Sequence, residues 1–289
     1  MQKIGLGTVQ FGLNYGVSNT HGRVPISGVK DILDIAYKAG MDTLDTAIGY
    51  GDSEEVLGKT GVKSWRVISK LPSIPNGCND ISGWIDKQVQ DSLARLDLNC
   101  LDGILMHDPN DLNGSNGKLI IKRLLSLKEE NLVKKIGLSI YDPVELEPIT
   151  DIFPIDILQA PMNIVDRRLL RSKSIANLKK NGCEIHIRSI FLQGLLLMSS
   201  QNRPAYFDKW KNLWTDWNNW LESENLTGLE ACVSYALGCP LVDRVIIGVS
   251  SKEELDQILS ISYKLKLNPP KALESSDTDL INPSNWKIS

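Results

Sequence analysis

Short apolar runs alternate with amphipathic segments along all 289 residues. Gln2–Gly7 reads as a first strand. Ser27 then stands as the cap of a helix whose Val29, Ile32, Leu33 and Ala36 recur at i, i+3, i+4 and i+7 and stop at Gly40. Thr43–Asp45 is a second strand and Arg66–Lys70 a third. Helical spacing returns at Ile85, Val89, Leu93 and Leu96, before a strand at Gly103–His107. A helix over Lys118–Glu130 leads into a strand at Lys135–Ser139. A short helix from Pro143, a strand at Asp156–Ala160, a helix around Arg171–Lys180 and a strand at Glu184–Arg188 follow. The last units are a helix from Thr227 through Leu237, a strand at Asp243–Ile247 and a helix opened by Ser251.

That pattern predicts eight strand–helix units, which matches an α/β fold of the (β/α)8 TIM-barrel kind, of about 250 residues. The strands are short and apolar throughout rather than alternating, as expected where both faces of a parallel sheet are covered. A doubly wound sheet is the rival, but no GxGxxG follows the first strand and the units are more numerous than that fold usually needs. The reading is therefore one barrel domain over 1–289, with an insert at about 195–225 and an extended tail from about 268. The insert carries Trp210, Trp214, Trp217 and Trp220 at helical spacing, an aromatic stripe suited to packing on the barrel or to covering a pocket mouth. The tail, rich in Pro, Ser, Asp and Asn, reads as an extended or partly disordered strap.

Composition changes little in this picture. With 42% hydrophobic and 23% charged residues the chain can bury a large core without disulfides or metal. A net charge of −3 and a pI near 5.7 give no footprint for nucleic acid or an acidic membrane surface. Cys78, Cys100, Cys183, Cys232 and Cys239 form no CxxC, and their odd number suits a reducing, cytoplasmic setting. Met1 runs at once into a strand-like segment, which argues against a secretory leader, so the sequons at Asn113 and Asn225 have no glycosylation context. No apolar run approaches the roughly 18 residues of a membrane helix. Nothing in the sequence speaks to an oligomeric state.

The chemistry concentrates in TLDTAIGYGDSEEVLG, residues 43–58. An apolar strand ends in Asp45, a tight corner carries Tyr50, and Asp52 or Ser53 opens an acid-rich helix. Active sites of TIM barrels lie at the C-terminal ends of the strands. Asp45 ends strand two, Tyr50 follows it, Lys70 ends strand three and His107 ends strand four, which would gather an acid, a phenol, an amine and an imidazole. A free phenol titrates near 10 and is a reluctant proton donor at neutral pH; an adjacent ammonium stabilises the phenolate and brings the pKa towards the working range. Asp45 would hold Lys70 charged and oriented, and His107 would fix the angle of a substrate carbonyl. The set suits protonating a carbonyl while a hydride arrives from a cofactor.

Asp45-Thr46-Ala47-x-x-Tyr50-Gly51-x-Ser53-Glu54, with Ser69-Lys70 and His107-Asp108-Pro109, resembles the aldo-keto reductases. Gly5-x-Gly7-Thr8, Gly137-Leu138-Ser139, Gln159-x-x-x-Asn163 and Ile247-Gly248-x-Ser250 agree in order and position, so the resemblance runs from Ile4 to about Ile258. It implies a (β/α)8 barrel that reduces aldehydes, ketones or sugar carbonyls with NADPH or NADH. Tyr50 would be the general acid, supported by Asp45, Lys70 and His107. The cofactor would be held by Thr8, Asp45, Ser139, Gln159, Arg188, Ser189, Leu192, Gly194, Gly248, Ser250 and Glu254. Within that set, Ser139 and Gln159 would face the carboxamide, Arg188-Ser189-x-x-Leu192-x-Gly194 the ring and pyrophosphate, and Gly248 to Glu254 the adenosine ribose. The segment Ser189–Gly194 resembles bacterial members that act around sugar or polysaccharide pathways.

Three positions depart from the pattern. Ile140 stands where the family usually has Asn. Arg188 stands where many members stack a Tyr on the nicotinamide; its guanidinium plane could stack or reach a substrate charge. Glu254 stands where members preferring NADPH often carry Arg or Gln, and it would repel a 2′-phosphate; family habit nevertheless leaves NADPH slightly ahead. Two rival functions stay open. One is a cofactor-binding regulatory or redox-sensing subunit with little turnover. The other is a barrel enzyme of another class, although no His and carboxylate cluster suits a metal. Gly58-Lys59-Thr60 resembles the end of a phosphate loop but lacks the earlier glycine and closes a helix rather than opening one. His21 and His186 read as a loop and a strand residue, and Gln10, Phe11 and Tyr15 as pocket wall or barrel rim.

Overall fold

The computed structural model describes residues 3–17, 19, 22–261 and 267–288. Among these, eight strands run parallel and close on one another: β1 (Ile4–Gly7), β2 (Thr43–Asp45), β3 (Arg66–Leu71), β4 (Gly103–Met106), β5 (Ile136–Ser139), β6 (Ile157–Pro161), β7 (Glu184–Arg188) and β8 (Arg244–Gly248). The closure is the β1–β8 pairing, with Ile4 opposite Val245 and Gly7 opposite Gly248. The expected (β/α)8 barrel is thus the fold. Gln2, expected to open the first strand, and His21 lie outside the described residues.

Helices cover the outside. Ile26–Lys38 buries Val29, Ile32, Leu33 and Ala36, the four positions its periodicity marks. Its cap is Pro25, not Ser27, which falls inside the first turn; no side chain caps the helix there. Ile81–Leu96 begins at Asp80, whose carboxylate accepts from the Gly83 amide. The segment around Arg171–Lys180 is two helices, Arg168–Arg171 and Lys173–Lys180, because Ser172 turns extended and caps the second through the Ile175 amide. Thr227 and Glu230 form a reciprocal capping box at the head of Gly228–Leu237.

Inside the barrel, side chains two residues apart on one strand face the same way. Stepping back along the strands from the C-terminal rim therefore gives the interior in layers. Ile68, Leu105 and Ile157 form a separate, fully buried apolar cluster, one step below Lys70, His107 and Gln159. Below it the interior is charged. Glu184 pairs with Arg66 and Lys135 and accepts from His186 Nε2, and Arg244 pairs with Asp42. The His186 hydrogen bond, aided by Lys135 and Arg66, outweighs burial and holds the Glu184 carboxyl far below the usual carboxylate range. His186 is the expected strand residue, wholly buried. The apolar cluster thus separates this charged layer from the polar groups at the C-terminal rim.

The insert between β7 and Gly228–Leu237 folds as turns at Leu195–Leu197 and Ala205–Trp210 and the helix Lys211–Glu224. Trp214, Trp217 and Trp220 are buried in a second core with Phe207, Leu273, Leu280 and Ile281. The tail beyond 267 packs there: Trp286 meets Phe207 edge to face at 4.9 Å, and its indole N–H donates to the Leu280 carbonyl.

Candidate active site

Asp45, Lys70 and Tyr50 are brought together. Lys70, fully buried, donates to Asp45 Oδ2 at 2.7 Å and the Thr46 carbonyl at 2.8 Å. Its ammonium lies 3.4 Å from the Tyr50 hydroxyl oxygen and 4.9 Å from the ring centroid. Burial works against the ammonium, but Asp45 and Tyr50 more than offset it, so the Lys70 pKa lies above that of an ordinary amine. The second Asp45 oxygen accepts from Gln159 Nε2 at 2.6 Å, across 114 residues of sequence.

The Tyr50 corner is fixed from beneath. Thr8 Oγ1 donates to the Asp45 carbonyl, and Ser53 Oγ to the Thr8 carbonyl, so β1, β2 and the helix Ser53–Thr60 share one polar joint. Glu54, buried, accepts from Ser69, Ser92 and Arg95, which locks that helix onto β3 and Ile81–Leu96. Gly12 passes so close to the corner that a Cβ there would sit 1.8 Å from the Tyr50 carbonyl. Gly58 is a packing glycine as well: a Cβ would meet the Arg95 carbonyl at 2.0 Å. Its run ends a helix, consistent with no phosphate loop.

His107 follows β4 and faces Tyr50 edge-on, ring centroids 6.0 Å apart. Burial, then Lys70 and Arg188, lower its pKa to about 4, against the smaller pull of Asp45 and Asp108. The imidazole is therefore neutral at physiological pH. The imidazole and the Tyr50 phenol border one space, where a neutral ring nitrogen and a hydroxyl could both meet a carbonyl oxygen.

That space is the end of a cavity of about 790 Å³. Thr8, Asp45, Arg188, Ser189, Gly194, Gly248, Ser250 and Glu254 line it, together with Gln10 and Tyr15. Ser139, at the end of β5, pairs in register with Gln159, the middle residue of β6; both are buried and lie behind the cavity lining rather than in it. Ser139 Oγ and Gln159 Oε1 have no hydrogen-bond partner, and neither does Gln10 Oε1. Because Asp45 needs a donor, Gln159 must turn its carbonyl oxygen the other way, so two acceptors wait on adjacent strands. Leu192 and Phe11 are fully buried in the cores and do not line the cavity. Ser189, Leu192 and Gln193 take left-handed φ of 61°, 49° and 53°, rare for such residues, and Asn163 holds the turn through the Ser189 carbonyl. Glu254 lies over the start of Lys252–Ser260, where its carboxylate accepts from the Ser250 amide at 2.7 Å.

Sequence reasoning did not single out Tyr141 or Asn218, both in the wall. Tyr141 lies two residues beyond the end of β5, in the rim loop, and that position was its signal. Of the four tryptophans, Trp217 packs in the second core and also lines the cavity, whereas Trp210, Trp214 and Trp220 do not line it. No group of three or more His, Cys, Asp or Glu among the described residues could hold a metal.

The C-terminal rim of the closed barrel thus carries a Lys–Asp–Tyr cluster with a neutral His beside it. The model of the aldo/keto reductase family matches residues 3–272, and the chain belongs to that family of oxidoreductases. It is 24% identical over 280 residues to D-arabinose 1-dehydrogenase of Saccharomyces cerevisiae, covering 88% of this chain and 82% of that one. Over 135 residues it is 31% identical to the aldo-keto reductase str7 of Strobilurus tenacellus, a match spanning 44% of this chain and 39% of the relative. The holo form of an aldo-keto reductase from Bacillus halodurans superposes with a TM-score of 0.70 at 20% identity, covering 93% of this chain and 88% of that one. A glycerol dehydrogenase of Gluconobacter oxydans gives 0.70 at 18% identity over 92% and 88%. Likeness at those identities speaks for the fold.

Proposed function

We propose that this chain reduces the carbonyl of a small aldehyde, ketone or sugar by nicotinamide-dependent hydride transfer, with Tyr50 as the proton donor. The observation that carries the reading is the Lys70 ammonium, 2.7 Å from Asp45 and 3.4 Å from the Tyr50 hydroxyl oxygen. As the phenol gives up its proton, its oxygen gains negative charge beside a cation already in place, and little reorganisation is needed. Lys70 stays protonated, so it supports the transfer electrostatically rather than as a nucleophile. Asp45 keeps it oriented, and the neutral His107 holds the carbonyl oxygen towards Tyr50.

The residues present fit a nicotinamide cofactor, which supplies the hydride when bound. The unpartnered Ser139 Oγ and Gln159 Oε1 suit the NH2 of its carboxamide. Thr8, Asp45, Ser189, Gly194, Gly248, Ser250 and Glu254 would meet the rest, with Leu192 shaping the turn. The carboxylate of Glu254, seated on the Ser250 amide, favours NADH over NADPH, because a 2′-phosphate would meet a negative charge there. Similarity to a protein named D-arabinose 1-dehydrogenase keeps a polyhydroxylated substrate in view. The five free thiols suit a cytoplasmic setting.

The test is turnover of NADH or NADPH with a small aldehyde by the purified protein and by Tyr50→Phe. The variant should lose roughly 10²- to 10⁴-fold in kcat, as expected for a lost general acid, while the cofactor still quenches tryptophan fluorescence. Full turnover by Tyr50→Phe would refute the assignment. A second reading, a cofactor-sensing subunit, draws on Ile140, apolar and buried beside Ser139. Tight cofactor binding without turnover across a broad carbonyl panel would favour it.

A further inference from the structure

The cavity wall carries three formally charged side chains, Asp45, Arg188 and Glu254. Asp45 is neutralised by Lys70, and Glu254 rests on the Ser250 amide at a helix start. Arg188 has no acid. Its hydrogen bonds go to neutral acceptors, the Ile140 carbonyl at 3.2 Å and Ser189 Oγ at 3.4 Å, and its guanidinium spreads over the Tyr141 ring at 4.4 Å. The nearby acids are engaged elsewhere. Asp142 and Asp166 pair with Arg168, Asp108 caps the turn Pro109–Leu112, and Glu145 accepts from the Tyr141 and Asp142 amides.

We infer that Arg188 receives a carboxylate on the reacting molecule, and that the natural substrate is an oxo acid or an acidic sugar rather than a neutral carbonyl compound. The inference rests on the reductase reading above and names its substrate class. A guanidinium offers five donors in a planar fork, and two neutral contacts leave part of that fork facing the cavity. Stacking on Tyr141 fixes the plane of the fork beforehand. The cation lies close enough to the reacting centre to act on His107 and on Tyr15, so an anion placed on it would belong to the molecule whose carbonyl lies between Tyr50 and His107. A neutral ligand would leave the cation facing the cavity without a counter-ion.

The test uses matched pairs, pyruvate with methyl pyruvate and 4-carboxybenzaldehyde with methyl 4-formylbenzoate, so that acid and carbonyl are adjacent in one pair and distant in the other. The protein should prefer the acid in at least one pair. Arg188→Gln should reduce the acid-over-ester ratio of kcat/KM on the order of 10- to 100-fold, as for losing a hydrogen-bonded ion pair. Arg188→Lys, which keeps the charge but not the fork, should fall between. Binding of the same compounds to Tyr50→Phe, followed by the fluorescence of the cavity tryptophan Trp217, separates this inference from the reductase reading. Acid-selective binding that is lost in the Tyr50→Phe/Arg188→Gln double variant supports it even where no turnover occurs. The inference falls if acid and ester behave alike, or if Arg188→Gln weakens NADH binding while the acid preference persists. In the latter case the anion is the cofactor's pyrophosphate.

Discussion

His107 offers the sharpest quantitative test, because one property governs both its chemistry and its cost to stability. In the folded protein it resists protonation until about pH 4, whereas an unfolded histidine takes a proton near 6.5. Above 6.5 both states are neutral and the residue makes no pH-dependent contribution. As the pH falls from 6.5 towards 4 the unfolded chain binds a proton that the folded one refuses, so stability is lost through that window. At 1.36 kcal/mol per pKa unit the full difference is about 3.4 kcal/mol; partial solvent access screens it, leaving ~2 kcal/mol. Urea unfolding of the wild type and His107→Gln between pH 7.5 and 4.5 isolates the effect, since other titrating groups, Glu184 included, are common to both proteins. The wild type should lose ~2 kcal/mol more than the variant over that range. Stability curves parallel to within about 0.3 kcal/mol would refute the buried, neutral imidazole.

Lys70→Met should destabilise the fold by about 3–5 kcal/mol in urea unfolding, because it leaves the Asp45 carboxylate buried with Gln159 and no cation. The loss should exceed that of a Leu→Ala change of similar depth per atom removed, and activity should vanish in whatever folded protein remains. Glu254→Gln should tighten NADPH relative to NADH by roughly 5- to 10-fold in a tryptophan-fluorescence titration, about 1 kcal/mol for one like charge near the solvent. An unchanged ratio would show that the 2′-position lies elsewhere.

Much of the fold could be read from the chain because period-2 and period-3.6 patterns are local. The helix Ile26–Lys38 buried the four residues its spacing marked, and β2 and β7 begin and end where expected. The rim was legible for the same reason: Asp45 closes β2 as expected, while Lys70 stands one residue before the end of β3 and His107 one residue beyond β4. The Tyr50–Lys70 contact followed from adjacency of neighbouring strands. What escaped was set by distant partners. Gln159 reaches Asp45 across 114 residues, and Gln193 meets the Tyr15 hydroxyl across 178. No window of sequence contains both members of such a pair. The wrong cap at Ser27 has a local cause: the preceding Pro25 already supplies an extended cap conformation, so no hydroxyl is required. The cation on Arg188 was visible as a departure, but its lack of an acid could be known only once Arg168 was seen to hold both Asp142 and Asp166.

The packing of the last segment has a consequence for how this protein is handled. Leu273, Leu280 and Ile281 are buried against the aromatic core, and Trp286 braces Phe207 from the far side. The same core seats Lys211–Glu224, the helix that sends Trp217 into the cavity. A recombinant version trimmed before Leu273 would keep every strand and every residue of the Tyr50 cluster. It would nonetheless loosen the wall opposite them, and ligand affinity would drop with no active-site residue altered.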